Sequence, residues 1–478
     1  MWCYSVLVVE RCEASLPVTL RNVPYRVADR VPALTPRNTG GPPAACSTHA
    51  TCHLVRRDPR PHMRSSSALL LSAVQLATAM LVPAGGKLPP ALSPADGAHT
   101  FTYDSVQRRL PLIVEAVIEN NPSYSSSLNG ELRELASEIA AGAALKPLAS
   151  PTAEWSAVLA PLLSSGATWF TTAWWVSENY FYKRMLEITD GPTGGKDPFA
   201  KQKADSLAGA AGAFQAAFAS GLTETTELAP LVAAALWGNL ADLSLSAGAK
   251  LVAPDVASSG SGQQDAGASS MMLADDTTAL CSALAGCGGK EVLVVLDNCG
   301  LELVSDLLLV DGLLRIVKPS RVVLHAKDCP VFVSDVMPAD VSPTVDWLEE
   351  QGGAELAARL RAAMADGRLT VEAPEFYTGC LPFWEMPSEL RASYEAAAVV
   401  ITKGDANYRR LLGDLHWRHD TDFAELMEYW PTSVAALRTC KSGVLVGVDP
   451  EVEAAAAAAH PDKWLVAGLY GCVQARIV

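Results

Sequence analysis

The chain contains 11 cysteines but has no CxxC pair and no spacing typical of a zinc site. This absence excludes the common structural zinc motifs and gives no sign of a thioredoxin-like redox motif. Scattered cysteines are typical of reduced thiols in an intracellular protein. We therefore expect an intracellular, cytoplasmic protein.

The chain also lacks an apolar run that is long enough to cross a membrane. The longest run near the start, residues 68–82, has about 15 residues and is interrupted by Ser72, Gln75 and Thr78, whereas a transmembrane helix needs about 20. No membrane association is predicted. The surrounding residues are rich in Arg and Ser and poor in acids, so organelle targeting by residues 1–95 and a mispredicted leader both remain open.

A broad basic face, as needed for nucleic-acid binding, is missing as well. Residues 1–95 contain ten Arg and Lys against four Asp and Glu, a balance of +6, while the whole chain has a net charge of −15. Residues 96–478 therefore carry −21. This acidity argues against a nucleic-acid partner, and an anionic substrate has to be attracted by a local group of cations or by a metal.

Length and patterning divide the 478 residues into three parts. Residues 1–95 lack a sustained period and are predicted to be a disordered or targeting leader. Residues 96–265 show helical apolar spacing and are predicted to form a mostly helical subdomain, with a Gly- and Ser-rich loop at 260–268. Residues 266–478 alternate strands with helices, which predicts an α/β domain with a parallel sheet. Helical spacing before the sheet is found at 109–119, 128–144, 155–163, 169–188 and 207–219.

Residues 291–296 form an apolar run that leads directly into Asp297, Asn298 and Gly300. The pattern predicts a buried strand that ends in a polar site, where ligands of open α/β sheets collect. An acid and an amide offer the oxygen ligands that Mg²⁺ or Mn²⁺ prefers. Gly300 permits a tight turn into a helix at 301–317. The alternative is an Asp that only caps this helix.

Two further predicted strands lead to polar residues. Arg321–His325 is followed by a segment that ends at Asp335, which we expect to be the third metal ligand. Residues 396–402 lead into a turn and a helix with four polar candidates. We expect the two cations to bind phosphate and the other two to bind sugar hydroxyls, although this is also a common surface pattern. The four candidates are Lys403, Asp405, Asn407 and Arg409.

Arg438 and Lys441 precede residues 442–448, which read as the final strand. Two cations at the start of a strand suit phosphate binding, and the alternative is a solvated basic patch.

Two motifs outside the sheet are candidates for lining a cleft, and packing between the two halves is the alternative for both. One places Glu178 and Tyr182 on the same face of a helix. The other contains Trp237, Asn239, Asp242 and Ser244.

Taken together, the motifs resemble the metal-dependent damage-control phosphatase family, formerly a domain of unknown function, in its branch with an Arg-Thr-x-Lys motif. The resemblance covers about residues 100–478. This branch also includes a protein described as an acidic-residue carboxyl methyltransferase. The motifs that carry the resemblance are Arg109-Leu-Pro, the helix at 174–184, Asp197-Pro-Phe, Trp237-Gly-Asn-x-x-Asp-Leu-Ser, Leu296-Asp-Asn-x-Gly-x-Glu-Leu, Phe332-Val-Ser-Asp, Lys403-Gly-Asp-x-Asn-Tyr-Arg and Arg438-Thr-Cys-Lys.

The resemblance implies a three-layer α/β fold with a helical N-terminal part and the activity of a sugar phosphate phosphatase, on substrates such as fructose-1-phosphate or fructose-6-phosphate. It implies Mn²⁺ or Mg²⁺ as cofactor, with Ni²⁺ or Co²⁺ as substitutes in vitro. The oligomeric state is left open. It implies metal ligands at Asp297, Asn298 and Asp335, which we also take as the catalytic residues. With the cleft and phosphate candidates above, the expected substrate-binding residues are Glu178, Asp405, Asn407, Arg409, Arg438 and Lys441.

The chain departs from the family pattern at two apolar positions. Val331 stands where relatives tend to have Trp, and Leu301 stands where Phe is usual. Both exchanges lie beside the predicted site, so they bear on substrate fit more than on metal binding. Residues 1–95 have no counterpart in the family pattern.

The expected reaction is metal-assisted transfer of a phosphoryl group to water or to Asp297, and the sequence leaves these two nucleophiles open. Cys299 stands where a haloacid-dehalogenase motif has its second Asp, which favours water. Two other functions are alternatives. A methyltransferase that uses S-adenosylmethionine needs a glycine-rich turn that Gly300 alone does not supply, and a sugar-phosphate sensor needs the pocket without turnover.

Overall fold

The computed structural model describes residues 88–238 and 271–478. Most of the predicted leader, the loop at 260–268 and the polar residues 239–244 of the Trp237 motif lie outside the described residues. The predicted boundary near residue 265 lies outside them too. Among the helices of the described ranges, none combines the length and the apolar character that a membrane crossing requires.

The described chain before the sheet is mainly helical, and two of its longer helices start at side chains that suit helix starts. The Ser125 hydroxyl accepts a hydrogen bond from the backbone N–H of Leu128, and Thr152 does the same for Trp155, so both are N-caps. These helices are α1 (Phe101–Asp104), α2 (Leu110–Asn120), α3 (Ser126–Ala140), α4 (Ala153–Ser164), α5 (Trp174–Thr193), α6 (Ala200–Gly209), α7 (Ala211–Ala219) and α8 (Ala229–Trp237).

Helical spacing located α2, α3, α4, α5 and α7, whereas α1 and α8 lie outside the predicted segments. The segment 207–219 contains the end of α6 and all of α7, which meet at Ala210. One π-helical turn, Ser105–Arg109, leads into α2, and another, Leu313–Val317, extends the helix that follows β2.

Seven strands form one mostly parallel sheet in the order β1-β7-β6-β5-β2-β3-β4, which confirms the α/β class. Among the described strands, β6 and β7 alone pair in antiparallel fashion, whereas β2 pairs in parallel with both β3 and β5. The strands are β1 (Met272–Asp275), β2 (Glu291–Val295), β3 (Arg321–His325), β4 (Leu369–Glu372), β5 (Ala397–Lys403), β6 (Ser433–Thr439) and β7 (Gly471–Arg476).

Helices cover both faces of the sheet. Alternate residues of β2 belong to different apolar cores, since Leu293 and Val295 pack in one and Val292 and Val294 in the other. This alternation is the two-residue period of a strand that is buried on both faces. The helices of this part of the chain are α9 (Thr277–Ala285), α10 (Leu301–Gly312), α11 (Pro338–Glu350), α12 (Ala354–Ala365), α13 (Ser388–Ala396), α14 (Gly404–Leu412), α15 (Phe423–Leu426) and α16 (Pro450–Ala459).

The prediction of a final strand at 442–448 is wrong, because this segment is irregular and the last strand is β7. Side chains bind its backbone instead of a neighbouring strand. Arg438 donates to the Val444 carbonyl, and Gln474 Nε2 donates to the Val446 carbonyl at 2.7 Å. Arg438 therefore stands near the end of β6, not before the start of a strand.

Candidate active site

The loop after β3 folds back along the end of β2. The backbone N–H of Cys299 donates to the Ser334 carbonyl at 2.7 Å, and the N–H of Val336 donates to the Asp297 carbonyl at 2.8 Å. Asn298 and Asp335 form an isolated bridge between these segments. These bonds bring all three predicted metal ligands to one edge of the sheet.

This edge forms the floor of a partly open cleft. Seven of the nine predicted site residues line it. Asn407 and Arg438 are the two that are not in its lining. The lining consists of Phe101, Arg109, Trp174, Glu178, Asp297, Asn298, Phe332, Asp335, Asp405, Ala406, Arg409 and Lys441.

The donor set at the cleft floor fits a hard divalent cation. Asp297 and Asp335 supply carboxylate oxygens and Asn298 supplies an amide oxygen, and all three side chains are buried. Within the described ranges, no cluster of three or more His, Cys, Asp or Glu side chains is placed to hold a metal. The amide of Asn298 is therefore needed to complete a three-ligand site.

Asp335 is close to a cation of the protein itself. The ammonium Nζ of Lys327 lies 2.9 Å from Asp335 Oδ2, and both side chains are buried. Lys327 also lies over the Tyr377 ring, 5.9 Å from its centroid. The pair makes an ionic contact, but the angles are not those of a hydrogen bond. Lys327 thus offsets part of the negative charge of the cleft floor.

Lys403 was expected to bind phosphate, but the structure places it elsewhere. Its ammonium Nζ is fully buried and contacts Glu302 Oε1 at 2.8 Å and Asp306 Oδ1 at 3.0 Å, both on α10. Burial lowers the pKa of Lys403, but the two carboxylates outweigh this and raise it above its usual value. Lys403 is not in the lining of the cleft, so its ammonium is not available to a substrate there.

Asp405 stands at the start of α14 and is held through one oxygen. Its Oδ1 accepts hydrogen bonds from Arg438 Nε at 2.7 Å, from the Lys441 backbone N–H at 3.1 Å and from the Ser442 hydroxyl at 3.1 Å. The guanidinium of Arg438 is fully buried and lies 4.2 Å from the centroid of the Tyr408 ring. Arg438 therefore acts on the cleft through Asp405 and not by direct contact.

Asn407 also supports the site from behind. Its side-chain amide donates to the backbone carbonyls of Leu296 at 3.1 Å and of Lys403 at 2.8 Å. It ties the end of β2 to the end of β5, the two strands that Asp297 and Asp405 follow.

A buried acid joins the helical part to the sheet part of the cleft. Glu178 Oε2 accepts from Arg409 Nη1 at 2.6 Å, and Glu178 Oε1 accepts from Arg109. Arg409 also binds Asp414, at 2.7 Å from its Nε, and stacks 3.6 Å from the centroid of the Trp174 ring. Burial alone raises the pKa of Glu178, but the two guanidinium groups reverse this and lower it.

Four residues reach the site although the sequence did not indicate a role for them there. They are Arg109, Lys327, Trp174 and Phe332. Lys327 had a usable signal, because it stands two residues after β3 just as Asp297 stands two residues after β2. For Arg109 the signal was its place in a family motif. The two aromatic side chains are like many others in the chain, so nothing singled them out.

The cleft lining contains four carboxylates and three cations. Two of the carboxylates, Asp335 and Asp405, also pair with buried cations outside the lining, Lys327 and Arg438. A bound divalent cation would add two positive charges, which attract a phosphate dianion strongly in a partly buried site. The charge balance therefore fits a metal-dependent anion site.

Residues 105–455 match the model of the damage-control phosphatase ARMT1-like domain. The chain belongs to this family. The matched residues include every residue that lines the cleft except Phe101.

Curated relatives support the assignment over nearly their full length. The damage-control phosphatase ARMT1 of Xenopus tropicalis is 29% identical over 448 residues, which cover 81% of this chain and 98% of the relative. The protein of the same name from Homo sapiens is 27% identical over 449 residues, with the same coverage of 81% and 98%. Membership in a damage-control phosphatase family implies a phosphatase that acts on a small molecule.

A crystal structure of a DUF89 family protein from Pyrococcus horikoshii also aligns with the damage-control phosphatase ARMT1-like chain. The alignment covers 70% of the present chain and 91% of the Pyrococcus horikoshii chain, with 15% sequence identity and a TM-score of 0.41. The fold class rests on the sheet described above and not on this likeness.

Proposed function

We propose that the chain is a metal-dependent phosphatase that hydrolyses sugar phosphate monoesters of the fructose-1-phosphate or fructose-6-phosphate type. One observation carries the proposal. Asp297, Asn298 and Asp335 line the same cleft as Lys441 and Arg409. A cation site beside fixed positive charges is the arrangement that phosphoryl transfer needs.

Asp297, Asn298 and Asp335 would hold Mn²⁺ or Mg²⁺, with Ni²⁺ or Co²⁺ as substitutes in vitro. When bound, the metal neutralises charge on the phosphoryl oxygens and orients the nucleophile. Other residues of the cleft bind the substrate. Lys441 and Arg409 stabilise the negative charge of the phosphoryl group, because fixed cations in a partly buried cleft act without reorganisation.

Asp405 and Glu178 are proposed to face the sugar. Three donors hold Asp405 through Oδ1, so Oδ2 is the oxygen left to accept a hydrogen bond from a substrate hydroxyl. Arg438 and Asn407 take part indirectly, since Arg438 fixes Asp405 and Asn407 fixes the strand ends. Arg109 shares Glu178 with Arg409 and thereby keeps both guanidinium groups in the cleft.

Water is proposed as the nucleophile in place of Asp297. A haloacid-dehalogenase mechanism needs a second acid two positions after the nucleophile, to give a proton to the leaving group. That position is Cys299, which is buried and lies outside the cleft lining. Burial raises the pKa of the Cys299 thiol well above its usual value, so the thiol is a poor proton donor.

The turn at Gly300, where a methyltransferase would bind S-adenosylmethionine, does not support methyl transfer. Gly300 has a φ of 76°, and a Cβ on it would lie 2.1 Å from the Ser206 hydroxyl oxygen. This glycine therefore permits close contact between α6 and the start of α10. It does not form part of a glycine-rich turn that cradles a cofactor.

The direct test is release of inorganic phosphate from fructose-1-phosphate and fructose-6-phosphate by the full chain, treated with chelator and then supplied with Mn²⁺ or buffer. We expect release only with metal, and none from Asp297→Ala. Asp366→Ala, which removes an exposed carboxylate that pairs with Arg368, should keep the activity. Equal turnover with and without metal would refute the proposal.

A further inference from the structure

The side-chain amide of Asn298 is fixed in one orientation. Its Nδ2 donates to Asp297 Oδ2 at 2.8 Å and to Glu302 Oε2 at 2.9 Å. An amide nitrogen has two N–H groups, so both are used. The remaining polar atom, Oδ1, accepts one hydrogen bond from the Ser334 hydroxyl at 2.6 Å and keeps a second lone pair.

This orientation matters because only Oδ1 is able to bind a cation. If the amide turned over, its N–H groups would point where its oxygen now points, and a metal ion would be repelled. Asp297 accepts one of the N–H groups, but it is also a proposed metal ligand. Glu302 is therefore the partner that holds the amide without being a ligand itself.

Glu302 is anchored in turn by a cation. It stands four residues after Asn298, in the first turn of α10, and its Oε1 accepts from Lys403 Nζ at 2.8 Å. Glu302 and Lys403 are both almost completely buried. A buried carboxylate without a partner is very costly, so Lys403 keeps Glu302 in place. The chain of contacts runs from the end of β5 through α10 to the end of β2.

We propose that Glu302 is a positioning residue that orients the Asn298 amide for the metal, and that Lys403 anchors Glu302. The inference rests on the proposed metal-dependent function. Residues that orient metal ligands in this way typically contribute 10- to 100-fold to metal affinity. The structure thus assigns Lys403, expected from the sequence to touch phosphate, to the support of a metal ligand.

Asp306 provides a matched control. It is also buried on α10 and contacts the same Lys403 ammonium, at 3.0 Å. No hydrogen bond or ion pair joins Asp306 to Asn298 among the contacts of the described residues. Glu302→Gln and Asp306→Asn each replace a carboxyl group beside Lys403 with an amide of nearly the same shape, but only the first alters the partner of the Asn298 amide.

The experiment is calorimetric titration of the full chain with Mn²⁺, together with the melting temperature of each variant. We expect Glu302→Gln to raise the Kd for Mn²⁺ by about 10- to 100-fold and Asp306→Asn to leave it unchanged. Equal affinity in folded Glu302→Gln and wild type, or an equal loss in both variants, would overturn the inference. Failure of the wild type to bind Mn²⁺ would instead reject the proposed function.

If Glu302→Gln does not fold, Glu302→Asp decides the question. The shorter side chain keeps the charge beside Lys403 but moves the carboxylate away from the Asn298 amide. We then expect a near-normal melting temperature with weaker Mn²⁺ binding. Wild-type affinity in this variant would contradict a positioning role.

Discussion

Gly404 lies so close to Asp297 that a Cβ on Gly404 would be 1.7 Å from the Asp297 Oδ2 atom. The glycine is the first residue of α14 and has a φ of 79°. Two elements that are distant in sequence therefore meet without space for a methyl group. The place of the Asp297 carboxylate depends on the absence of a side chain at 404.

We expect Gly404→Ala to displace the Asp297 carboxylate and to lower phosphatase activity by about 100-fold, the loss that a displacement of about 1 Å can cause. Gly367 is the matched control, because its φ is 80° and nothing lies within 4 Å of the position of a Cβ. Gly367→Ala has the same backbone strain without the clash. Similar activity losses in the two variants would show that strain, and not the contact with Asp297, is responsible.

Lys441→Met should weaken substrate binding without affecting the metal. The loss of one charge-assisted contact to phosphate corresponds to about 1.5–3 kcal/mol, or roughly 10- to 100-fold in KM. Steady-state kinetics and Mn²⁺ titration separate the two effects. Lys463→Met removes an exposed lysine from the same C-terminal region and should change neither quantity. A normal KM in Lys441→Met would exclude contact between this ammonium and the phosphate.

Arg438→Lys tests whether this arginine acts through Asp405. Lysine keeps the charge but has no planar group to bind Asp405 and the carbonyls of Val444 and Ser442 together. We expect a loss of at least about tenfold in kcat/KM with unchanged Mn²⁺ affinity. Asp405→Asn should show a similar loss, and the double variant little more, since both changes affect one contact. Additive losses would mean that Arg438 has a role independent of Asp405.

His325 makes the stability of the fold sensitive to acid. It is buried at the end of β3, with Nδ1 2.6 Å from the Tyr377 hydroxyl. Burial lowers its pKa to about 4 from the usual 6.5. Because the folded state favours the neutral ring, this contribution is complete above pH 6.5 and is lost as the pH falls from 6.5 towards 4.

The expected loss is about 3 kcal/mol in the free energy of unfolding, from about 1.4 kcal/mol per pKa unit. Chemical denaturation at several pH values should show it. His325→Gln keeps a hydrogen-bonding side chain that does not titrate, so its stability should depend less on pH in this window. The same pH dependence in wild type and variant would assign the acid sensitivity to other groups.

The sheet, and the place of the three predicted metal ligands at one edge of it, followed from the sequence because they depend on local patterns. An apolar run that ends in Asp297 and Asn298 identifies both the strand and the edge at which it ends. Parallel pairing of β2 with β3 and β5 then brings the neighbouring strand ends to the same edge. Asp335 joined this group although it lies ten residues after β3, because backbone bonds return its loop to β2.

The partners of the charged residues did not follow from the sequence. Lys403 looked like a phosphate ligand because the strand before it ends at a predicted binding edge. Its carboxylate partners, Glu302 and Asp306, lie about a hundred residues earlier, at a spacing of one helical turn on α10. Spacing along one helix is readable, but the contact between α10 and β5 is a tertiary one.

The contacts of Arg438 also could not be predicted from the sequence. The segment 442–448 is mostly apolar and reads as a strand despite its glycines at 443 and 447, and this reading places Arg438 before the strand. The structure instead uses the long guanidinium side chain to satisfy the backbone of that segment. A side chain that substitutes for a neighbouring strand leaves no periodic signal.

The most direct measurement is an anomalous difference map from crystals of the full chain grown with Mn²⁺. We expect one strong peak in the cleft, in contact with the side chains of Asp297, Asn298 and Asp335. A cleft without a peak, or a peak that touches none of these three side chains, would contradict it.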